Sequence, residues 1–431
     1  MTEGSENKTS PKASAWWRQN RFPLFVASRV ISLTGDVATT TALTVYVYDE
    51  TKSSLAISGL FVARVLPRLF GPLAGAISDR LDLRKLMVYC DIASCVVFLL
   101  IARLDPSYTM LLAMVLLAEV AATIASPAAE TVVARTVPAE SRGRANGVMM
   151  AVLTVSFAGG AAIGGLSAGA WDYRVALYVN SASFVVSAVL IAGVRRMPPD
   201  ESRHGSTPSM ASSLRSGLRL LRVDREIMLV SVCTIGVAFA AAVDRPALVV
   251  LAERDLGSAG IGYGLALGGV SVGALLATLL VGRIRYLDAS AGVFTAGLLL
   301  QALGHLFMGF SPVVLILVCA AAIAGFGNGM EAISGMTMLQ QTKTHGSVGM
   351  LMGVVVSGSY VGNAVGSVAG GFLVEAAGPR WTFGVASFLM AGLSCLALRA
   401  RQPGPDEFVA APRDSFPGSK MVDGIADGSQ K

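Results

Sequence analysis

The sequence predicts an all-α polytopic membrane protein of twelve transmembrane helices arranged as two pseudo-symmetric six-helix bundles. Three observations predict it. Of 431 residues, 53% are hydrophobic and only 14% charged, with a mean hydropathy of +0.63, which is too apolar and charge-poor for a soluble domain of this length. Charge-free windows at 145–171, 175–194, 256–282 and 381–398 each supply the roughly 20 apolar residues that about 30 Å of hydrocarbon requires. The runs are continuous rather than alternating, and the 47 glycines fall mostly inside them; this excludes a membrane β-barrel and suits close helix packing.

Taken in order, apolar runs between charged or turn-rich breaks place spans at 22–48, 53–78, 86–103, 108–135, 145–170, 174–194, 227–252, 260–282, 289–310, 312–338, 347–376 and 380–399. Pro312 splits the charge-free stretch 289–330 into a tight hairpin, because about 40 apolar residues exceed one crossing. The polar segment 1–21 carries Trp16 and Trp17 but no cleavage site after a short apolar core, so the first span is expected to be retained. Between the bundles at 22–194 and 227–399, residues 195–226 form a linker. In it, Leu214, Leu218 and Leu221 at helical spacing beside Arg215, Arg219 and Arg222 predict a helix lying on anionic headgroups. The Pro-, Gly- and Asp-rich tail 400–431 is expected to be disordered.

An even number of spans puts both termini on one side, and Lys and Arg choose which. With the termini cytoplasmic, the outer loops hold only Lys52, Arg103, Arg174, Arg254 and Arg380. Arg29, Arg64, Arg68 and Arg245 fall within spans, and the remaining basic residues face the cytoplasm. The net charge of +6 thus has a membrane explanation and calls for no nucleic acid. Cys90, Cys95, Cys233, Cys319 and Cys395 all lie in spans without metal-site spacing. His204 and His345 fall in loops and His305 in span nine, composing neither a metal site nor a catalytic triad.

The halves resemble each other at an offset of about 202 residues. Gly160 and Gly164 match Gly362 and Gly366, Gly71 matches Gly273, and Phe157 with Tyr360 and Glu130 with Glu331 agree within one position. Ordered matches on equivalent spans indicate a duplication, the pattern of membrane proteins that rock two halves about a site near the midplane.

After span two the chain reads Gly71-Pro-Leu-Ala-Gly75-Ala-Ile-Ser-Asp79-Arg80-Leu-Asp82-Leu-Arg84-Lys85. This resembles the loop signature of the major facilitator superfamily, Gly-x-x-x-Asp-Arg/Lys-x-Gly-Arg-Arg/Lys, with Asp82 in place of the second glycine. With Ser32-Leu-Thr-Gly35-Asp36, Ser126-Pro127, Arg144-Ala-Asn146 and Gly327-Asn328-Gly329, the chain is similar over about 20–400 to the branch holding macrolide-efflux and enterobactin-exporter-type proteins (transmembrane secretion effectors). The resemblance implies a gate latch at Gly75, Asp79, Arg80, Arg84 and Lys85. There Asp79 would face a helix N-terminus across the half-interface while the cations reach carboxylates or lipid phosphates; the alternative is a plain positive-inside cluster.

Ionisable groups inside spans are costly and mark candidate sites: Asp36, Glu119, Glu130, Asp244 beside Arg245, and Glu331. A carboxyl in a partly dry cavity that opens alternately to each side can exchange protons between them. Asp244 and Arg245 equally suit a structural ion pair. Glu119 lies where many antiporters of the superfamily carry an arginine. Arg29, Arg64 and Arg68 are expected to pair with acids or to snorkel. Small residues at 160, 164, 362 and 366 are expected to pack one bundle against the other. The span-five glycine run resembles that of drug:proton antiporters without its proline. Phe157, Phe239, Tyr263, Phe326 and Tyr360 are candidate cavity aromatics.

The expected activity is therefore secondary transport without enzymatic chemistry. Specifically, it is proton-coupled export of a hydrophobic or amphipathic small molecule, such as an antibiotic, drug or siderophore, by a monomer in the bacterial inner membrane. No cofactor is expected beyond protons, and no nucleotide-binding loop is present. An uptake symporter is the alternative, and a non-transporting receptor or scaffold a more distant one.

Overall fold

Twelve membrane-crossing segments make up the computed structural model, which describes residues 21–195, 197–198, 219, 225–258, 260–281, 291–340 and 348–400. The expected interfacial helix and disordered tail lie outside the described residues. In chain order the segments are α1 (Phe22–Thr51); α2, in three pieces (Ser54–Val65, a 3-10 turn Leu66–Phe70, and Gly71–Asp79); α3 (Leu83–Leu104); α4 (Tyr108–Thr136); α5 (Arg142–Ala170); and α6 (Tyr173–Ala192). The second half has α7, also in pieces (Arg225–Val243, Arg245–Val250 and a π turn Leu251–Asp255); α8 (Ile261–Val281); α9 (Ala291–Gly309); α10 (Val314–Gln340); α11 (Val348–Ala377); and α12 (Pro379–Ala400). Eleven crossings, α7 with its break included, are long and apolar enough to span a bilayer. The other, α2, is interrupted where Pro67 removes a backbone donor at the start of the 3-10 turn.

Short polar residues set the helix starts. Ser53 caps α2 by accepting from the Ala56 amide, Asp82 caps α3 from the Lys85 amide at 3.2 Å, and Asp172 caps α6 from the Arg174 amide at 2.8 Å. Asp82, which departs from the family signature, thus replaces a glycine turn with an N-cap. In the α3–α4 loop, outside the spans, hydrogen bonds from Arg174 and then Tyr173 hold the Asp105 carboxyl below the usual carboxylate range. That contribution is present above the free carboxylate's value and is lost as the pH falls through the lowered one.

The repeat is visible in the packing. Helix α5 lies along α1, and α11 lies along α7 in the same way; the halves meet through α5 against α8 and α2 against α11. Call the face where α1 begins the near face. The described hydrogen bonds between the halves lie toward the opposite, far face, among them Ser54 Oγ to the Gly371 carbonyl (2.8 Å), Ser58 Oγ to the Ser367 carbonyl (2.6 Å), and Ser53 Oγ (2.8 Å) and the Leu55 amide (3.3 Å) to Glu375. A core of Val45, Ile57, Phe61, Leu251, Tyr263 and Val374 joins both halves there.

Glycine permits the close approach of α5 to α8: a Cβ at Gly165 would lie 2.9 Å from both the Gly264 Cα and the Gly260 carbonyl oxygen. At the near ends of α2, α5 and α11, by contrast, a Cβ at Gly71, Gly75, Gly143, Gly147 or Gly353 would meet nothing within 4 Å. The halves are closed at the far face and parted at the near face. Gly165→Val is expected to wedge the far face open, lowering thiol labelling of a Gly147→Cys reporter that is readily labelled without the valine.

Candidate functional site

Between the halves, α1, α2, α4, α7, α8 and α11 bring together most of the intramembrane charges. Asp36 sits midway along α1, and its Oδ1 accepts from the Asn180 amide of α6 at 3.3 Å. The approach needs the neighbouring Gly35, where a Cβ would sit 3.1 Å from Asn180 Cγ and 2.5 Å from Ser183 Oγ. Gly35→Val is therefore expected to push α6 away and to impair function as Asn180→Ala does, a comparison that transport assays at matched expression would make. No cation lies within ion-pair distance of Asp36 among the described residues.

Glu119 of α4 has the opposite surroundings. It is 5% exposed and receives both cations of α2: Arg64 at 3.5 Å, and Arg68, whose Nε donates at 2.7 Å and whose terminal nitrogen also contacts the same carboxylate oxygen. Arg64 and Arg68 are four residues apart, so one face of α2 presents both. Two cations on one carboxylate make a positive centre, with Tyr360 of α11 near Arg68. Arg245, from the break in α7, lies 5.8 Å from the centroid of Phe61 in α2. Tyr263 of α8 is buried with Thr44 of α1 as its hydrogen-bond partner.

In the C-terminal half, Glu331 is 4% exposed and accepts from Thr234 Oγ1 at 3.2 Å; it too has no described cation partner. Of the two readings left open for Asp244, the structure shows an ion-pair contact, though not with Arg245. Its carboxylate contacts His305 Nδ1 of α9, because adjacent residues at a helix break leave in different directions and Arg245 turns to the other half. Glu130 lies exposed near the end of α4 without a described partner.

Phe157 is one helical turn before Ala161, whose carbonyl meets α8 at Gly264, and is 53% exposed. Phe239, Phe326 and Tyr360 are half-buried. The glycine expectation needs correction: Gly160 and Gly164 pack on α1 of their own half, with added Cβ atoms 2.5 Å from the Thr34 carbonyl and 2.7 Å from Thr41 Cβ. Gly362 and Gly366 likewise pack on α7, near the Ile235 carbonyl and Ala242. The bundles meet instead through Gly165, Gly260, Gly264 and Gly371, because position 165 is rotated about 100° from 164 on an α-helix.

At the expected latch, Gly75 is uncrowded, Arg80 and Lys85 are exposed, and the Asp79 side chain lies outside what is described. Arg84 donates to the Ala192 and Val194 carbonyls at 3.1 and 3.4 Å, closing the end of α6 within its own half rather than crossing the interface.

Sequence reasoning missed Asp91, 5% exposed in α3, which accepts from Ser187 Oγ of α6 at 2.7 Å near the half-buried Arg29. The available signal was a carboxylate inside the third apolar run. It also missed Glu375, whose carboxylate accepts from both Ser53 Oγ and the Leu55 amide across the half-interface.

Chemically, the arrangement combines a positive centre with two buried carboxylates that have no cation in ion-pair contact among the described residues. Comparisons with known proteins agree on the type. The sequence profile of the Major Facilitator Superfamily matches residues 25–252 and 230–422. Over 389 residues the chain is 26% identical to the multidrug efflux pump Tap of Mycobacterium bovis, covering 84% of this chain and 90% of Tap. Macrolide efflux protein A of Streptococcus pyogenes is 20% identical over 214 residues, 48% of this chain; the chain spans about half the length of that relative, 53%. The crystal structure of the nucleoside transporter NupG shares the fold, with a TM-score of 0.73 at 12% identity over 90% of this chain and all of NupG.

Proposed function

The chain belongs to the major facilitator superfamily, a secondary transporter and not an enzyme, and from that premise we propose that it exports a hydrophobic or amphipathic small molecule in exchange for protons. The observation that carries the proposal is the contrast among its buried carboxylates. Glu119 is neutralised by Arg64 and Arg68, whereas among the described residues Asp36 in one half and Glu331 in the other have only Asn180 and Thr234 as side-chain partners. A carboxyl taken out of water without a cation favours its neutral form, and one reached alternately from each side carries a proton across.

With both termini cytoplasmic in a bacterial inner membrane, the near-face opening is inward-facing. Substrate enters past Phe157, the Arg64–Arg68–Glu119 centre and Tyr360 orient its polar part, and aromatic walls hold the remainder. Rocking of the halves breaks the Ser54, Ser58 and Glu375 contacts and opens the far face. Protonation of Asp36 and Glu331 from outside then resets the cycle. The names of Tap and macrolide efflux protein A support the direction and the substrate class; a single chain holds the whole site, which supports a monomer.

The test measures accumulation of fluorescent and antibiotic compounds in efflux-deficient cells. Lower accumulation that an uncoupler reverses is the expected result. Accumulation above the empty-vector level would overturn export in favour of uptake.

A further inference from the structure

On the reading that this chain exports an amphipathic molecule, we propose that its substrate carries an acidic group, a carboxylate or phosphate on an apolar body, which binds between Arg68 of the N-terminal half and Arg245 of the C-terminal half. Arg245 follows the break in α7 and leaves its own half, with its guanidinium carbon 5.8 Å from the centroid of the Phe61 ring in α2. Among the described residues it makes no ion pair and no hydrogen bond. An aromatic face offers the charge a partner but leaves the N–H donors of the guanidinium without an acceptor. Inside a membrane protein such a group is costly until something accepts those bonds.

The acids around the half-interface have other partners. Asp244, the residue before Arg245, gives its carboxylate to His305. Glu119 is shared by Arg64 and Arg68 and balances one of them. Asp36 accepts from Asn180, and Glu375 from Ser53 and the Leu55 amide. Besides Asp244, Arg245 lies within the fields of Tyr263 and Arg68. The first is a phenol hydrogen-bonded with Thr44, and the second is another cation. Three guanidinium groups thus share one region with a single ion-paired carboxylate.

Helix register places them along one path. Phe61, Arg64 and Arg68 fall at i, i+3 and i+7, on one side of α2. Phe61 belongs to the apolar core that joins the halves at the far face, so Arg245 lies against that closure and Arg68 two turns of α2 nearer the near face. The rise between positions 61 and 68 is about 10 Å, which two extended arginine side chains can close around one bound group. Arg64 is 15% exposed and enclosed with Glu119, whereas Arg68 is 43% exposed and accessible, with Tyr360 of the opposite half beside it.

A guanidinium binds a carboxylate or phosphate through two parallel N–H bonds, which the ammonium of a lysine does not supply. An acid group between Arg68 and Arg245 sets one negative charge between a cation of each half, so the far-face closure no longer holds two unshielded like charges. When the halves rock apart there, Arg245 leaves with α7. The group then has one guanidinium instead of two, which weakens its hold as the far face opens.

Dansylglycine, dansylglycinamide and dansylcadaverine share an apolar body and carry an acid, a neutral amide and an amine. Fluorescence titrations of each against the purified full-length protein in phosphatidylcholine nanodiscs, with no ion gradient, test the site. Dansylglycine should bind roughly tenfold or more tightly than dansylglycinamide, as charge-assisted hydrogen bonds predict, and dansylcadaverine more weakly than either. Arg245→Gln should bring the acid to the affinity of the amide while leaving the amide unchanged. Arg245→Lys should keep part of the preference, because the charge remains and the planar fork is lost. A purely structural role for Arg245 would instead lower the melting temperature of Arg245→Gln and leave the ratio of acid to amide affinity as in the parent. Adding phosphatidylglycerol to the nanodiscs should not displace dansylglycine; displacement would assign the site to a lipid headgroup and overturn a transported acid. No binding of the acid, equal affinity for acid and amide, or an acid preference that survives Arg245→Gln also overturns the proposal. The titrations need neither a proton gradient nor turnover, so a failed export assay would leave an acid site standing. A missing acid preference would leave export of neutral or cationic compounds intact.

Discussion

Asp36→Asn should abolish uncoupler-sensitive export while the protein reaches the membrane in normal amount. Asparagine keeps the size of aspartate and still accepts from Asn180, whose amide is the one described hydrogen-bond donor to Asp36, so the fold has little reason to change. What is lost is the capacity to take up and release a proton. The initial extrusion rate is expected to fall roughly tenfold or more, equivalent to about 1.4 kcal/mol or more on the coupled step. Asp36→Glu should retain part of the activity, because it restores the carboxyl at the cost of crowding where Gly35 lets α6 approach. Export by Asp36→Asn at a near-normal, uncoupler-sensitive rate would remove Asp36 from the coupling mechanism and leave Glu331→Gln as the decisive substitution.

Glu119→Gln is expected to act on stability as much as on transport. Its carboxylate is 5% exposed and is shared by Arg64, itself only 15% exposed, and Arg68. Removing the acid leaves two cations facing each other on one side of α2, and breaking a buried pair in this way typically costs about 3 kcal/mol or more. Most of that should come from Arg64, because Arg68 is 43% exposed and water screens it. The purified variant should therefore unfold at a lower temperature than the parent, and Arg64→Gln combined with Glu119→Gln should recover part of the loss. The double-mutant cycle isolates the coupling between the two side chains. Equal melting temperatures for parent and Glu119→Gln would mean that the cluster is held by the surrounding packing rather than by charge.

These two acids illustrate the limit of sequence reasoning. Both are carboxylates near the middle of an apolar run, and both are equally costly to bury by composition. Their environments diverge because α2 turns Arg64 and Arg68 toward α4, while α6 offers Asp36 only an amide. Asp244 shows the same limit: sequence adjacency suggests Arg245, but the break at Pro246 sends the two side chains to different halves, and the acid meets His305 sixty-one residues away. The glycines add a rotational version. Positions 164 and 165 read alike in sequence, yet one faces α1 and the other faces α8 of the opposite half.

By itself the sequence determined the class, the twelve crossings, the duplication and the family, because hydropathy sums over about twenty consecutive residues and a loop motif is contiguous; neither depends on what packs alongside. Only the tertiary structure decided which carboxylates have cations, which glycines join the halves, and which face is open. Those properties depend on the rotation of each helix about its axis and on its neighbours across the bundle. In a bilayer the lipid tails are as apolar as the side chains, so hydrophobicity sets that rotation weakly, and close packing and polar partners set it instead.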